Sequence, residues 1–105
     1  MIRASRPQPK FQEKRLSLIQ GQVQVLDPIG LHARPASQIV KLVKESGLEI
    51  TIGRPGQEFA KANSALRLMA LKISTGETLT VEVPTADQAL ADSLIAQIQE
   101  FLKAD

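Results

Sequence analysis

The only histidine of this 105-residue chain lies in the segment Gly30-Leu31-His32-Ala33-Arg34-Pro35-Ala36. An imidazole titrates near neutral pH, so a neutral nitrogen nucleophile is available under physiological conditions. The pattern that follows His32 predicts the start of a helix, whose first-turn N–H groups and positive dipole end favour an anion such as phosphate. We therefore predict that His32 receives, holds and passes on a phosphoryl group.

The neighbours of His32 favour this prediction over a helix cap or a polar surface residue, which are the alternatives for a lone histidine. Arg34 supplies forked donors that suit phosphate oxygens. Pro35 fits the first turn of a helix, where its missing N–H costs nothing. We expect Gly30 and Ala33 to leave room for the backbone of a partner. No carboxylate stands beside the histidine in sequence, which is unfavourable for a hydrolytic triad but acceptable for a carrier.

Strand and helix patterns alternate along the rest of the chain in the order β-α-β-β-α-β-α. Alternation of apolar and polar residues predicts strands over 19–25, 48–52, 57–61 and 79–83, with Phe59 directed inward. Apolar stripes predict helices over 33–46, 65–71 and 87–103, where Gly47 ends the first, Ser64 caps the second and a capping box at 85–88 starts the third. Each strand has one apolar face, which predicts an α+β open-faced β-sandwich: a four-stranded antiparallel sheet covered on one face by three helices.

Composition narrows the class of protein. The length fits one domain, and 43% hydrophobic residues suffice for its core. Cysteine is absent, which excludes disulfides and thiolate metal sites. We find no apolar run long enough to span a bilayer and no signal-peptide segment, so we expect a cytoplasmic protein. A single histidine without clustered carboxylates predicts no metal, and nothing in the pattern calls for a cofactor. An oligomer is neither required nor excluded.

Charge is distributed unevenly along the chain. Residues 1–15 carry five basic side chains and one glutamate, a net charge of +4, whereas residues 16–105 hold eight basic and ten acidic side chains, a net charge of −2. We expect a basic, disordered extension over 1–16 and a folded domain over 17–105. A nucleic-acid-binding domain is disfavoured, because the body is acidic and the chain has no Tyr or Trp for stacking on bases.

The segment from Gly30 to Ala36 resembles the active-site segment of the histidine-containing phosphocarrier (HPr) proteins of the bacterial phosphotransferase system. The resemblance covers residues 17–103 and includes the predicted order of elements. It implies that the δ nitrogen of His32 accepts a phosphoryl group from phosphorylated Enzyme I, which phosphoenolpyruvate charges, and that Arg34 steadies the phosphate. It also implies transfer to IIA-type components, without insertion into a membrane. The alternative is an HPr-like regulatory module that binds transcriptional or metabolic partners.

The second predicted helix carries three further candidates. Ser64 aligns with a serine that a serine kinase/phosphorylase modifies in many family members, although a serine at this place is also a preferred helix cap. The local sequence Asn63-Ser64-Ala65-Leu66-Arg67 departs from the Lys-Ser-Ile-Met-Gly of many members. The triplet at 62–64 is similar to the nitrogen-related branch, so both the sugar and the nitrogen-related branches remain open. Leu66 and Met69 are candidates for partner docking or, alternatively, for the core.

Overall fold

Four strands and three helices alternate in the predicted order within residues 17–103, the part of the chain that the computed structural model describes. The strands are β1 (Ile19–Gln24), β2 (Thr51–Gly53), β3 (Ala60–Lys61) and β4 (Thr78–Val83), and the helices are α1 (Ala33–Ser46), α2 (Ala65–Ala70) and α3 (Gln88–Phe101). The extension predicted to be disordered, residues 1–16, lies outside the described residues. None of these helices is long and apolar enough to cross a membrane.

The strands form one antiparallel sheet in the order β1-β4-β2-β3. The register between the two long strands pairs Val23 with Leu79 and Gln22 with Thr80. Val23 and Leu79 are buried beneath the helices, whereas Gln22 is exposed on the opposite face. This alternation, which has the period of two of a half-buried strand, confirms the predicted open-faced sandwich.

The core lies between the sheet and the helices and is built from aliphatic side chains. Its largest fully buried side chains are Ile39, Ile50, Ile52, Leu68, Leu79, Ile98, Leu102, Val23, Val25, Val43, Val81 and Val83. Helix α1 contributes its stripe of Pro35, Ala36, Ile39 and Val43, and ends at Gly47, whose positive φ of 72° is the predicted C-terminal stop. The core therefore fixes α1, and with it the position of His32, against the sheet.

Phe59 does not point inward, contrary to the prediction. Thr51 pairs with Lys61 and Ile52 pairs with Ala60, so Ala60 occupies the inward position of β3 beside the fully buried Ile52. Alternation then places Phe59 on the open face, where it lies against Gly53. The prediction was wrong because an alternating pattern in a two-residue strand does not determine which of its residues faces the core.

The third helix begins at a different cap from the predicted one. Asp87 is the N-cap, and its Oδ1 accepts the N–H of Leu90 at 3.1 Å. Thr85, predicted to cap the helix, instead accepts the N–H of Asp87 at 3.1 Å in the turn before it. Gln88 does not reach back to close a capping box and donates to Asp92 at 2.8 Å. The aspartate side chain, two residues nearer the helix than Thr85, reaches the unpaired amides of the first turn.

Candidate functional site

The loop that presents His32 is held at three points. Gly30 N–H donates to the carbonyl of Asp27 at 2.9 Å, which closes a turn after β1. Asp27 N–H donates to the carbonyl of Leu102 at 2.9 Å, at the end of α3. Leu31 N–H donates to the carbonyl of Ile73 at 3.1 Å. The loop is thus bonded to two distant parts of the chain immediately before α1 begins.

We predicted that Gly30 would leave room for the backbone of a partner. It does not, because it is buried against the backbone of another segment. Its φ is +90°, and a Cβ added there would lie 2.5 Å from the carbonyl oxygen of Ile73. A side chain at this position would therefore be strained twice, by its backbone conformation and by the contact. The glycine is required for the loop to pack on the segment 73–75.

His32 is the N-cap residue of α1 but its side chain does not cap the helix. Its backbone is extended, with φ −110° and ψ −171°, and its carbonyl accepts the N–H of Ala36 at 3.1 Å. The imidazole makes no hydrogen bond to the first turn and is 30% exposed. Pro35 is buried in that turn, as predicted from its missing N–H. The geometry leaves the ring accessible beside a helix N-terminus, which is where an anion is favoured.

A carboxylate does lie beside the imidazole, contrary to the expectation from sequence. Oδ2 of Asp27 is 3.1 Å from Nε2 of His32, and Oδ1 accepts the N–H of Ile29 at 2.9 Å. The Ile29 amide and the His32 ring together lower the pKa of Asp27. A detectable sequence signal was present: Asp27 is the only acidic residue between Glu13 and Glu45, and an aspartate before Pro often bonds the amide two residues on.

His32 and Arg34 line one groove of about 280 Å³. The residues that line it are Asp27, Pro28, Ile29, His32, Arg34, Pro35, Gln38, Glu100, Phe101 and Lys103. Lys103 and Glu100 form an ion pair of 2.9 Å at its edge. The lining includes no hydroxyl or thiol that a histidine–aspartate pair could activate, so the arrangement does not form a hydrolytic triad. No cluster of three or more potential metal ligands occurs within residues 17–103.

The candidates on α2 lie outside this groove. Ser64 is the N-cap of α2, and its hydroxyl accepts the N–H of Arg67 at 3.3 Å, so the predicted capping role is confirmed. Leu66 is 76% exposed, whereas Met69 is half-buried and packs against the core. Of the two docking candidates, Leu66 therefore offers most of its surface to a partner and Met69 offers less.

Comparison with known proteins places this fold and site in a family. Residues 19–104 match the family described as "PTS HPr component phosphorylation site". The phosphocarrier protein HPr of Borreliella burgdorferi is 39% identical over 74 residues, which cover 70% of this chain and 85% of the relative. The phosphocarrier protein NPr of Shewanella violacea is 35% identical over 85 residues, covering 79% of this chain and 91% of the relative.

Solved structures agree with this relationship. The histidine-containing phosphocarrier protein of Mycoplasma has a TM-score of 0.69 at 28% identity, covering 83% of this chain and 100% of that one. The phosphocarrier protein HPr from Bacillus anthracis has a TM-score of 0.67 at 27% identity, covering 82% and 98%. The family match and these relatives thus define a small phosphocarrier rather than an enzyme in the classical sense. The chain belongs to the HPr family of the phosphotransferase system.

Proposed function

We propose that His32 carries the phosphoryl group, which it accepts from phosphorylated Enzyme I and passes to IIA-type components. The observation that supports this most directly is a partly exposed imidazole at the N-terminus of α1, in an open groove that it shares with Arg34. The compartment that we propose is the cytoplasm, where such a relay would meet phosphoenolpyruvate. The first sixteen residues have no part in this proposal.

The groove can hold a phosphate on His32 without enclosing it. The first turn of α1 presents backbone N–H groups toward a bound anion, and Arg34 adds a cation with forked donors. Arg34 lies on the exposed side of that first turn, so its guanidinium would meet the phosphate from solvent. A carrier must release its cargo, and an open groove with one arginine suits this better than a deep pocket of several cations.

The proposal is tested by phosphorylating the protein with phosphoenolpyruvate and Enzyme I. We expect one acid-labile phosphoryl group per chain, located at His32 by fragmentation mass spectrometry. His32→Ala should accept none, since the chain then contains no histidine at all. An unchanged yield in His32→Ala would refute the proposal.

The role of Arg34 requires a matched control. Arg34→Ala should slow transfer and change the lifetime of the phosphohistidine while leaving the fold intact, since the side chain is exposed. Lys44→Ala removes the same charge from an exposed position in the last turn of α1, outside the groove, and should leave both quantities unchanged. If the two variants behave alike, Arg34 contributes only to the overall surface charge and not specifically to holding the phosphate.

The nitrogen-related branch is the second candidate function, because a relative named NPr is 35% identical and the chain carries Ala62-Asn63-Ser64. Rates of phosphorylation by Enzyme I of the sugar system and by its nitrogen-related counterpart would separate the branches. Phosphorylation of Ser64 by a serine kinase stays a prediction, as does docking through Leu66 and Met69. A purely regulatory binding module would not need His32 and Arg34 together, which favours the carrier.

A further inference from the structure

The carboxylate of Asp27 is engaged through both of its oxygens. Oδ1 accepts the N–H of Ile29 at 2.9 Å and Oδ2 lies 3.1 Å from Nε2 of His32. The backbone of Asp27 is fixed as well, because its N–H donates to Leu102 and its carbonyl accepts from Gly30, both at 2.9 Å. Its side chain is only 18% exposed. The carboxylate is therefore oriented before any phosphoryl group arrives.

This orientation restricts the position of the proton on the imidazole. An ionised carboxylate can only accept hydrogen bonds, so the ring nitrogen that faces it must be the donor. A neutral imidazole carries one proton, and with that proton on Nε2 the lone pair is on Nδ1. The lowered pKa of Asp27 means that this carboxylate is ionised at neutral pH.

We propose that Asp27 is a positioning residue that holds His32 in the Nε2–H tautomer and thereby presents the Nδ1 lone pair for phosphoryl transfer. The inference rests on the proposed function in naming the reaction, but the tautomer is a property of the unphosphorylated protein. The role resembles that of the aspartate in a catalytic triad, which orients an imidazole without itself taking a proton.

The transfer step balances without any movement of a proton. The Nδ1 lone pair forms a bond to phosphorus as the bond between phosphorus and the phosphohistidine nitrogen of the donor breaks, and the donor nitrogen keeps that electron pair. The Nε2 proton stays in place, so the ring of His32 gains positive charge, which the carboxylate of Asp27 offsets. When the phosphoryl group leaves, the N–P electron pair returns to Nδ1 and the ring is neutral again. The same tautomer therefore serves acceptance and release.

Nuclear magnetic resonance of the ¹⁵N-labelled protein tests the tautomer directly. The chain has one histidine, so the two imidazole nitrogen signals belong to His32. At alkaline pH we expect a protonated Nε2 and an unprotonated Nδ1. The wild-type spectrum alone can overturn the inference, because a predominantly protonated Nδ1 contradicts it whatever the transfer rate is.

Two substitutions of Asp27 distinguish orientation from a merely structural role. In Asp27→Asn, the amide oxygen keeps the bond to the Ile29 N–H, which turns the NH₂ group toward Nε2 and favours the Nδ1–H tautomer. In Asp27→Ala, the ring loses its partner and both tautomers are populated. We therefore expect transfer to be slowest in Asp27→Asn, by about 10- to 100-fold, the range found when a residue that orients a metal-bound imidazole is replaced. Asp27→Ala should lie between Asp27→Asn and wild type.

A structural role for Asp27 predicts the reverse order, because alanine loses the turn that asparagine keeps. Asp87→Asn is the matched control: it removes one carboxylate at the start of α3, about 20 Å along the helix from the groove, and asparagine caps equally well. We expect wild-type transfer from this variant. If Asp27→Asn transfers phosphate as fast as wild type, the inference is overturned, although the proposed phosphorylation of His32 still holds. Failure of wild-type His32 to accept phosphate would instead refute the proposed function.

Discussion

Replacement of Gly30 by alanine should damage both the stability and the carrier activity of this protein. Gly30 has φ +90°, and the added Cβ would lie 2.5 Å from the carbonyl oxygen of Ile73 and 3.3 Å from Cα of Ser74. These neighbours are backbone atoms, so they cannot rotate away as a side chain would. The same Ile73 carbonyl accepts the Leu31 N–H bond that fixes the loop next to His32.

The expected cost has two parts. A non-glycine residue in a left-handed conformation costs about 1–2 kcal/mol. Forcing an extra carbon into a packed region costs roughly another 1–3 kcal/mol through shifts of the surrounding atoms. Since small domains have only about 5–15 kcal/mol of stability, Gly30→Ala should remain folded at 25 °C with a much lower Tm.

Gly76→Ala provides a control that isolates the contact from the conformation. Gly76 has nearly the same φ, +91°, but a Cβ there would meet nothing within 4 Å. We therefore expect Gly30→Ala to melt below Gly76→Ala by roughly 4–24 °C, the shift that corresponds to the extra 1–3 kcal/mol in a domain of this size. The phosphorylation rate at 25 °C should fall in Gly30→Ala alone.

Differential scanning calorimetry and a phosphorylation time course measure these two quantities. Equal Tm values in the two variants would show that the contact with Ile73 costs nothing, and the reasoning about the loop would be wrong. A large fall in Tm without a change in rate would refute the link between the Leu31 bond and the position of His32.

Three further outcomes follow from contacts elsewhere in the domain. Arg54 and the Ser74 amide hold the pKa of Glu77 below its ordinary 4.5. The ionised Glu77 therefore stabilises the fold above that pH, and this stabilisation is lost as pH falls through the lowered pKa. In urea unfolding, Glu77→Gln should be less stable than wild type at pH 7, and the difference should vanish in acid. Asp87→Ala should lower the free energy of unfolding by about 0.5–2 kcal/mol, and Thr85→Ala should lower it less, because Asp87 supplies the helix cap. Equal decreases would contradict the observed helix start. Leu66 is exposed, so Leu66→Ser should change the free energy of unfolding by less than about 0.5 kcal/mol. It should raise the KM for phosphorylation by Enzyme I, and an unchanged KM would show that Leu66 is not part of the docking surface.

The parts of the fold that the sequence predicts are those with a repeated pattern. In β1 and β4, apolar and polar residues alternate over six positions, which is enough to set the register and the buried face. The apolar stripe of α1 runs over three turns and determines which face packs on the sheet. Where the pattern is short, as in β3, the orientation of Phe59 was mistaken, because two residues do not determine a face.

The candidate site also contains residues that the sequence predicts and residues that it does not. His32 was recognisable because its type, its uniqueness and the helix start that follows it are all local properties of the sequence. The role of Gly30 was not, since it depends on the Ile73 carbonyl, which comes from a distant part of the chain. Asp27 was missed although it lies only five residues away, because a turn rather than a strand or a helix brings it back to the ring.

The charges around His32 suit a phosphoryl group that is held only briefly. Arg34 and the N-terminus of α1 would attract a phosphate on His32, whereas the carboxylate of Asp27, next to Nε2, would repel the phosphate oxygens. Lys103, the other cation of the groove, is already paired with Glu100. A site with several unopposed cations would bind the phosphorylated imidazole firmly and slow its release. In the relay that we propose, opposing charges would keep the phosphorylated and unphosphorylated states of His32 closer in free energy than several cations would, which favours acceptance from one partner and transfer to the next.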